Sequence, residues 1–231
     1  MTGSGAALTL EDASFRWPGR NGFGLSVPAL SMRAGETVLL LGESGSGKST
    51  LLSLVCGILA PQTGRIAVDG ADLGQMRAGA RDRFRAERIG VIFQQFNLLP
   101  YGSVRDNIDL PLRFAPQRRA RAGEGEALRL CTALGLPGEV MTRPAGRLSV
   151  GQQQRVAVAR ALIGQPPLIV ADEPTSALDA RTQDAFLGVL FDQLRAAGAA
   201  LLMVSHDDRL SARFDRVLRL EDIAQVERAA A

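Results

Sequence analysis

Two hydrophobic periods alternate along this chain. An uninterrupted apolar run, Thr37-Val38-Leu39-Leu40-Leu41, predicts a buried strand. Beyond a glycine-rich loop, Leu51, Leu52, Leu54, Val55, Ile58 and Leu59 fall on one helical face. Upstream, Leu8-Thr9-Leu10, Phe15-Arg16-Trp17 and Ser26 to Met32 predict short strands, with turns at Pro18-Gly19 and Asn21-Gly22, behind a frayed end at residues 1–5. Arg65 to Val68, closed by Asp69-Gly70, adds another strand, so this part is expected to form a small, partly antiparallel sheet. An Arg/Ala-rich surface helix over 71–88 leads into a buried strand at Ile89 to Phe93. Residues 96–147 change character: prolines are scattered, Arg118, Arg119 and Arg121 cluster, and a helical pattern at Ala127, Leu128, Leu130, Cys131 and Leu134 stops at Gly135. The alternation then resumes as a helix from Gly151 to Ile163, a strand at Leu168 to Ala171, a helix over 181–196, a strand at Ala199 to Ser205 and a last one at Arg216 to Glu221. Such a pattern predicts an α/β fold with a mostly parallel sheet covered on both faces. We expect a single domain over 1–231, with an α/β core from 1–95 and 148–231 and a helical lobe at about 96–147.

Composition changes this picture little. A chain of 231 residues, 46% hydrophobic, is long enough for a real core, and its mean hydropathy is near zero. No apolar run approaches a membrane span, and the N-terminus lacks a basic segment followed by an apolar one. The net charge of +3 is not that of a nucleic-acid binder. Cys56 and Cys131 lack metal-ligand spacing and are expected to be reduced core thiols.

The glycine-rich loop carries the strongest chemistry. Gly42-Glu43-Ser44-Gly45-Ser46-Gly47-Lys48-Ser49-Thr50 fits G-x-x-x-x-G-K-[ST], between a strand and a helix as that motif requires. Its glycines let successive N–H groups turn inward around phosphates, and the helix start aims its positive end at the same anion. Lys48 would reach the β- and γ-phosphates, and the Ser49 hydroxyl would sit on Mg²⁺.

Asp172 and Glu173 end the apolar strand that begins at Leu168. At a strand's carboxyl end Asp172 is placed to orient Mg²⁺, and Glu173 to polarise an attacking water. His206, the single histidine, also follows an apolar strand, Leu201 to Val204, and could contact the γ-phosphate; elsewhere a lone histidine is a surface residue. Trp17 could stack on adenine or simply be a half-buried strand aromatic. Leu148-Ser149-Val150-Gly151-Gln152 opens a helix with free N–H groups, a hydroxyl and a glycine, a second anion site far from the first in sequence. Two such sites in one chain invite a head-to-tail dimer closing on two nucleotides.

In order, the loop at 42–50, Gln94, Leu148 to Gln152 followed by Gln153-Gln154-Arg155, Asp172-Glu173, Ser176-Ala177-Leu178-Asp179 and His206 resemble the nucleotide-binding subunit of an ABC transporter over nearly the whole chain. The resemblance implies ATP and Mg²⁺ as ligands and a role for each residue. Trp17 is similar to the aromatic that stacks on adenine, where Tyr is commoner. Gln94 is similar to the glutamine that senses Mg²⁺ and touches the transport machinery. Ser149 and Gly151, with Gln152 beside them, would bind the γ-phosphate held by the opposite subunit. Asp179 would communicate between sites, and His206 would be the switch histidine. Lys48, Gln94, Glu173 and His206 are thus the implied catalytic set, with Ser49, Gln94 and Asp172 around the metal. Val150 stands where the family usually has Gly; pointing away from the phosphate, it would be harmless.

Ile89 to Pro100, with Asp106-Asn107-Ile108 and Leu110-Pro111-Leu112, is similar to the branch serving lipoprotein release and macrolide-type efflux. Ser176-Ala177, where that branch often has Gly-Asn, is more familiar from importers. The implied partners are a second copy of the chain and a separate membrane permease, which would hold the protein at the cytoplasmic face of the inner membrane. The short stretch after residue 221 leaves no expected room for a regulatory domain. A small-molecule kinase would share the first loop but leave Leu148 to Gln152 unexplained. A cell-division mechanotransmitter of the same family is the remaining alternative. The arginines at 77, 81, 83, 85 and 88 are expected to be a solvated helix face, or a surface toward membrane or permease.

Overall fold

The computed structural model describes residues 5–19, 22–176 and 178–227. The end expected to fray up to residue 4, the Asn21 half of the second turn and Ala177 lie outside the described residues. In chain order the elements are β1 (Ala6–Arg16), β2 (Gly24–Arg33), β3 (Thr37–Leu41), α1 (Lys48–Val55), β4 (Thr63–Val68), β5 (Ala71–Asp72), α2 (Ala78–Arg88) and β6 (Ile89–Ile92). They continue with α3 (Val104–Asp109), α4 (Pro116–Ala122), α5 (Glu126–Ala133), α6 (Val150–Leu162), β7 (Leu168–Asp172), α7 (Ala180–Ala197), β8 (Ala200–Ser205), β9 (Arg216–Arg219), α8 (Leu220–Ile223) and β10 (Gln225–Glu227). The fold is α/β, and the chain forms two compact units, residues 1–85 with 200–231 and residues 86–199.

The first unit holds an antiparallel sheet in the order β10-β2-β1-β4-β5. Leu8, Leu10, Ala13, Leu25, Val27, Ile66 and Val68 turn inward, the alternation a half-buried sheet demands. The same unit holds three parallel strands, β3 between β8 and β9. Val38 to Leu41 and all of β8 are buried, as befits parallel strands covered on both faces. A side-chain clip sets the β3–β9 register: Asp215 accepts from the Thr37 N–H and hydroxyl, both at 2.8 Å.

Several sequence expectations need correction here. The first two predicted strands are one continuous β1, because Asp12, at φ 46°, bulges the strand instead of ending it. Trp17 consequently lies just past the strand. Helix α1 stops at Val55, since Gly57 takes a left-handed φ of 63° and its N–H bonds back to Leu54, so Ile58 is exposed rather than on the buried face. The segment 71–88 is a two-residue strand, a turn and only then α2, and the stretch after Arg216 turns into α8 at Leu220 before β10 joins the antiparallel sheet. Within α2, Arg81 and Arg85 are half-buried: both donate to the Gly57 carbonyl at the end of α1.

In the second unit β6 and β7 pair in parallel and α6 packs on β6. That approach depends on Gly90, where a Cβ would stand 2.2 Å from the Ala161 carbonyl oxygen. The short helices α3, α4 and α5 make the helical part. Arg118, from the basic cluster, is 1% exposed. Its guanidinium donates to the carbonyls of Ile163 (2.6 Å), Ala161 (2.7 Å), Ala86 (3.0 Å), Arg160 (3.2 Å) and Ile89 (3.3 Å). Three of these are carbonyls at the C-terminal end of α6, which have no intrahelical partner of their own. Burial lowers the pKa of Arg118 to about 10.

Candidate nucleotide site

In the first unit the loop at 42–47 leaves β3 and enters α1 through Gly47, whose φ of 110° is closed to L side chains. Gly45 is also left-handed, at φ 74°. No side chain caps α1 and no acid stands in its first turn, so its leading N–H groups face the loop. Lys48 is buried, and its ammonium donates to the carbonyls of Gly42 at 2.6 Å and Glu43 at 2.7 Å. The Ser46 hydroxyl is buried without a hydrogen-bond partner. An orphaned hydroxyl, uncapped N–H groups and a lysine ammonium on one loop are a donor set suited to a phosphate chain. A cavity of about 350 Å³ opens beside it, lined by Gly42, Glu43, Ser46, Leu220, Glu221 and Val226 among others.

Trp17 and His206 sit at the edges of this loop. The Trp17 indole N–H donates to the Thr50 hydroxyl at 3.2 Å, which fixes the ring against the first turn of α1. Phe15 packs edge-on to it at 5.2 Å. Ser205 pairs with Leu41, so His206, exposed, leaves β8 level with Gly42. Ser49 is exposed and Thr50 buried.

The second unit collects the other candidates. Ile92 is in register with Ala171, so β6 and β7 end together; Gln94 and Glu173 each follow two residues later. Asp172 ends β7, and Glu173 is held at a left-handed φ of 42°. Ser149 caps α6 in a reciprocal box: it accepts from the Gln152 N–H at 3.3 Å, and its own N–H donates to the Gln152 side chain at 3.1 Å. Val150 is 57% exposed at the start of this helix. Around Gly151 a Cβ would meet nothing within 4 Å. Asp179 caps α7, accepting from the N–H and hydroxyl of Thr182, and these bonds hold its carboxyl below the usual range. Among the described residues no three His, Cys, Asp or Glu cluster as a metal site. Asp172 at the end of β7 and Gln94 just past β6 carry oxygens of the hard kind that Mg²⁺ takes, as does the Ser49 hydroxyl on α1.

The profile of the ABC transporter family matches residues 25–176, which include the 42–50 loop, Gln94, Ser149 to Gln152 and Asp172-Glu173. The chain belongs to the ABC transporter family. Its sequence is 43% identical over 191 residues to the uncharacterised ABC transporter ATP-binding protein YbbA of Escherichia coli K12, covering 83% of each. It is 40% identical over 193 residues to the lipoprotein-releasing system ATP-binding protein LolD of Hyphomonas neptunium, covering 84% of each. It is 39% identical over 194 residues to the macrolide export ATP-binding/permease protein MacB of the same organism, covering 84% of this chain and 30% of that one. Among solved structures, the ATP-binding cassette MJ0796, in a dimeric post-hydrolysis state bound to ADP and Pi, superposes with a TM-score of 0.78 at 30% identity, covering 97% of this chain and 99% of that one.

The structure of this ABC cassette adds side chains that sequence reasoning passed over. Gln154 is buried, and its amide donates to the Pro174 carbonyl at 2.6 Å, just past Glu173. Arg160, 7% exposed, donates to the carbonyls of Asn97 at 2.6 Å and Phe96 at 2.5 Å. Both lie on the apolar face of α6 with Val156, Ala157 and Ala159. A polar residue breaking such a face was the available signal, since burial of that kind demands partners.

Proposed function

We propose that this ABC cassette binds and hydrolyses MgATP, closes as a head-to-tail dimer around two ATP molecules, and thereby drives a separate membrane permease. The observation that carries the dimer is the start of α6. Its leading turn faces solvent, and the empty surroundings of Gly151 mean that nothing in its own fold requires a glycine there. A second copy bringing phosphate against that turn would require it, because a side chain would hold the anion away from the N–H groups. Lys48 and Ser46 would hold the phosphates in one copy, and Trp17 would stack on adenine. Ser49, Asp172 and Gln94 would hold Mg²⁺. Glu173 would take the proton of the attacking water, with His206 at the γ-phosphate. Ser149 and Gly151 would complete that γ-phosphate site from the other copy, and Asp179 would link the two sites. The bond from Gln154 to Pro174 supports the assignment of Glu173, because it fixes the turn on which that carboxylate stands.

No helix among the described residues is long and apolar enough to cross a membrane. The likeness to proteins named for lipoprotein release and macrolide export favours a permease of that branch. Leu99, Tyr101 and Phe114, exposed at 47%, 95% and 65%, lie on the helical part that follows Gln94 and offer it a surface. Replacing Glu173 with Gln should preserve ATP binding and stall hydrolysis. Light scattering should then show an ATP-dependent dimer; a variant that stays monomeric at saturating ATP would overturn the closing mechanism.

A further inference from the structure

Immediately after Gln94 the chain makes a turn that L residues avoid. Phe96 and Asn97 take consecutive left-handed conformations, at φ 58° and 48°. A turn of this kind persists only when its surroundings hold it. Backbone bonds from Phe96 to Phe93 and from Asn97 to Gln95 close it locally. From outside, both of its strained carbonyls are held by one guanidinium, that of Arg160. Among the described residues no carboxylate pairs with this buried cation, and burial alone lowers its pKa. Burying an unpaired charge costs stability, so the two short charge-assisted bonds to this turn are what its environment provides in return.

Arg160 stands near the C-terminal end of α6, and Ser149 caps the N-terminal end of the same helix. A helix of this length is stiff, and the two residues are about 16 Å apart along its axis. Its C-terminal carbonyls are fixed in turn by Arg118. We infer that Arg160 is a positioning residue: it locks the turn beside Gln94 to the helix that carries Ser149, so that the two move as one body. Without it the turn would relax, and Gln94, which would hold Mg²⁺, would lose its fixed place beside that turn. The inference rests on the reading of Gln94 as a Mg²⁺ contact.

The test is a MgCl₂ titration of ATPase activity at saturating ATP, using the full chain, beside binding of a fluorescent ATP analogue without Mg²⁺. Arg160→Met should raise the Mg²⁺ concentration for half-maximal rate about 10-fold or more, the usual effect of losing a residue that orients a ligand. Analogue binding should stay close to that of wild type, because the guanidinium of Arg160 serves the carbonyls of Phe96 and Asn97. Arg160→Lys, which keeps the charge but not the fork, should fall between. Leu134→Ala, a core truncation in the same unit, controls for lost stability and should lower the melting temperature without moving the Mg²⁺ midpoint. Gln94→Ala should shift that midpoint at least as far as Arg160→Met. If Gln94→Ala shifts it and Arg160→Met does not, the positioning role is wrong and the Gln94 reading stands. If Gln94→Ala leaves it unmoved, the Gln94 reading fails and the inference fails with it. An equal shift in Leu134→Ala would reduce the effect to stability and likewise overturn the inference.

Discussion

Replacing Arg118 with Met should be among the most destabilising single changes available in this cassette, and its size can be worked from the structure. The guanidinium serves five carbonyl oxygens in a dry setting. Met preserves most of the side-chain volume but donates nothing, so those oxygens lose a partner at roughly 1.3 kcal/mol each, about 6 to 7 kcal/mol together. Against this, the cation is itself uncomfortable. The fall of its pKa to about 10 corresponds to about 3 kcal/mol against the charged form, a cost that Met removes. The net loss is about 3 to 4 kcal/mol. For a chain of this length that corresponds to a melting temperature lower by about 10 °C. Urea unfolding followed by circular dichroism would measure it as a drop in midpoint at constant slope. Arg119→Met is the comparison: Arg119 is exposed and serves the single carbonyl of Leu112, so its loss should stay near 0.5 kcal/mol. If Arg118→Met unfolds within about 0.5 kcal/mol of wild type, the carbonyls are being satisfied by water and the account of Arg118 as their partner is wrong.

Three further outcomes are expected. Lys48→Ala should abolish ATP binding, read by a fluorescent analogue, while unfolding within about 2 kcal/mol of wild type, because it removes only two bonds to loop carbonyls; retained binding would sink the phosphate-site reading. Hydrogen bonds from Thr37 hold the carboxyl of Asp215 below its ordinary value, so its contribution is fully present above the unfolded carboxylate pKa near 3.8 and fades as pH falls through the lower folded value. The stability difference between wild type and Asp215→Asn should therefore be level at neutral pH, about 1 kcal/mol or less for so exposed a group, and shrink below about pH 4. Burial pushes the Cys131 thiol up to about 11, so a thiol reagent should label it at neutral pH only after urea is added.

The parts of the fold visible in the sequence are those whose burial leaves a periodic trace. The runs that form β3, β7 and β8 are almost wholly apolar because parallel strands are covered on both faces, and the glycine-rich loop is visible because Gly45 and Gly47 occupy conformations other residues avoid. The apolar pattern breaks between Leu10 and Phe15, which predicts two strands. In the fold Asp12 bulges, and Gly64 on β4 admits the bulge: a Cβ there would stand 2.1 Å from the Asp12 carbonyl oxygen. That accommodation is a property of two strands together and leaves no mark on either alone.

The same reason hides the buried arginines. In sequence Arg118 is one of a basic cluster, indistinguishable from its exposed neighbours Arg119 and Arg121, and Arg160 is one charge in a helix. What separates them is the supply of unpaired carbonyls: the last turn of α6 supplies Arg118, and the left-handed turn after Gln94 supplies Arg160. Helix α6 is therefore tied at three levels, by Ser149 to its own first turn, by Gln154 to the residue after Glu173, and by Arg160 to the turn after Gln94. Each tie ends beside a residue the sequence singles out for chemistry. A helix that merely filled the core would need the apolar contacts of Val156, Ala157 and Leu162 and none of these three bonds. Their placement argues that α6 serves as the frame on which Gln94 and Glu173 keep their positions relative to Ser149.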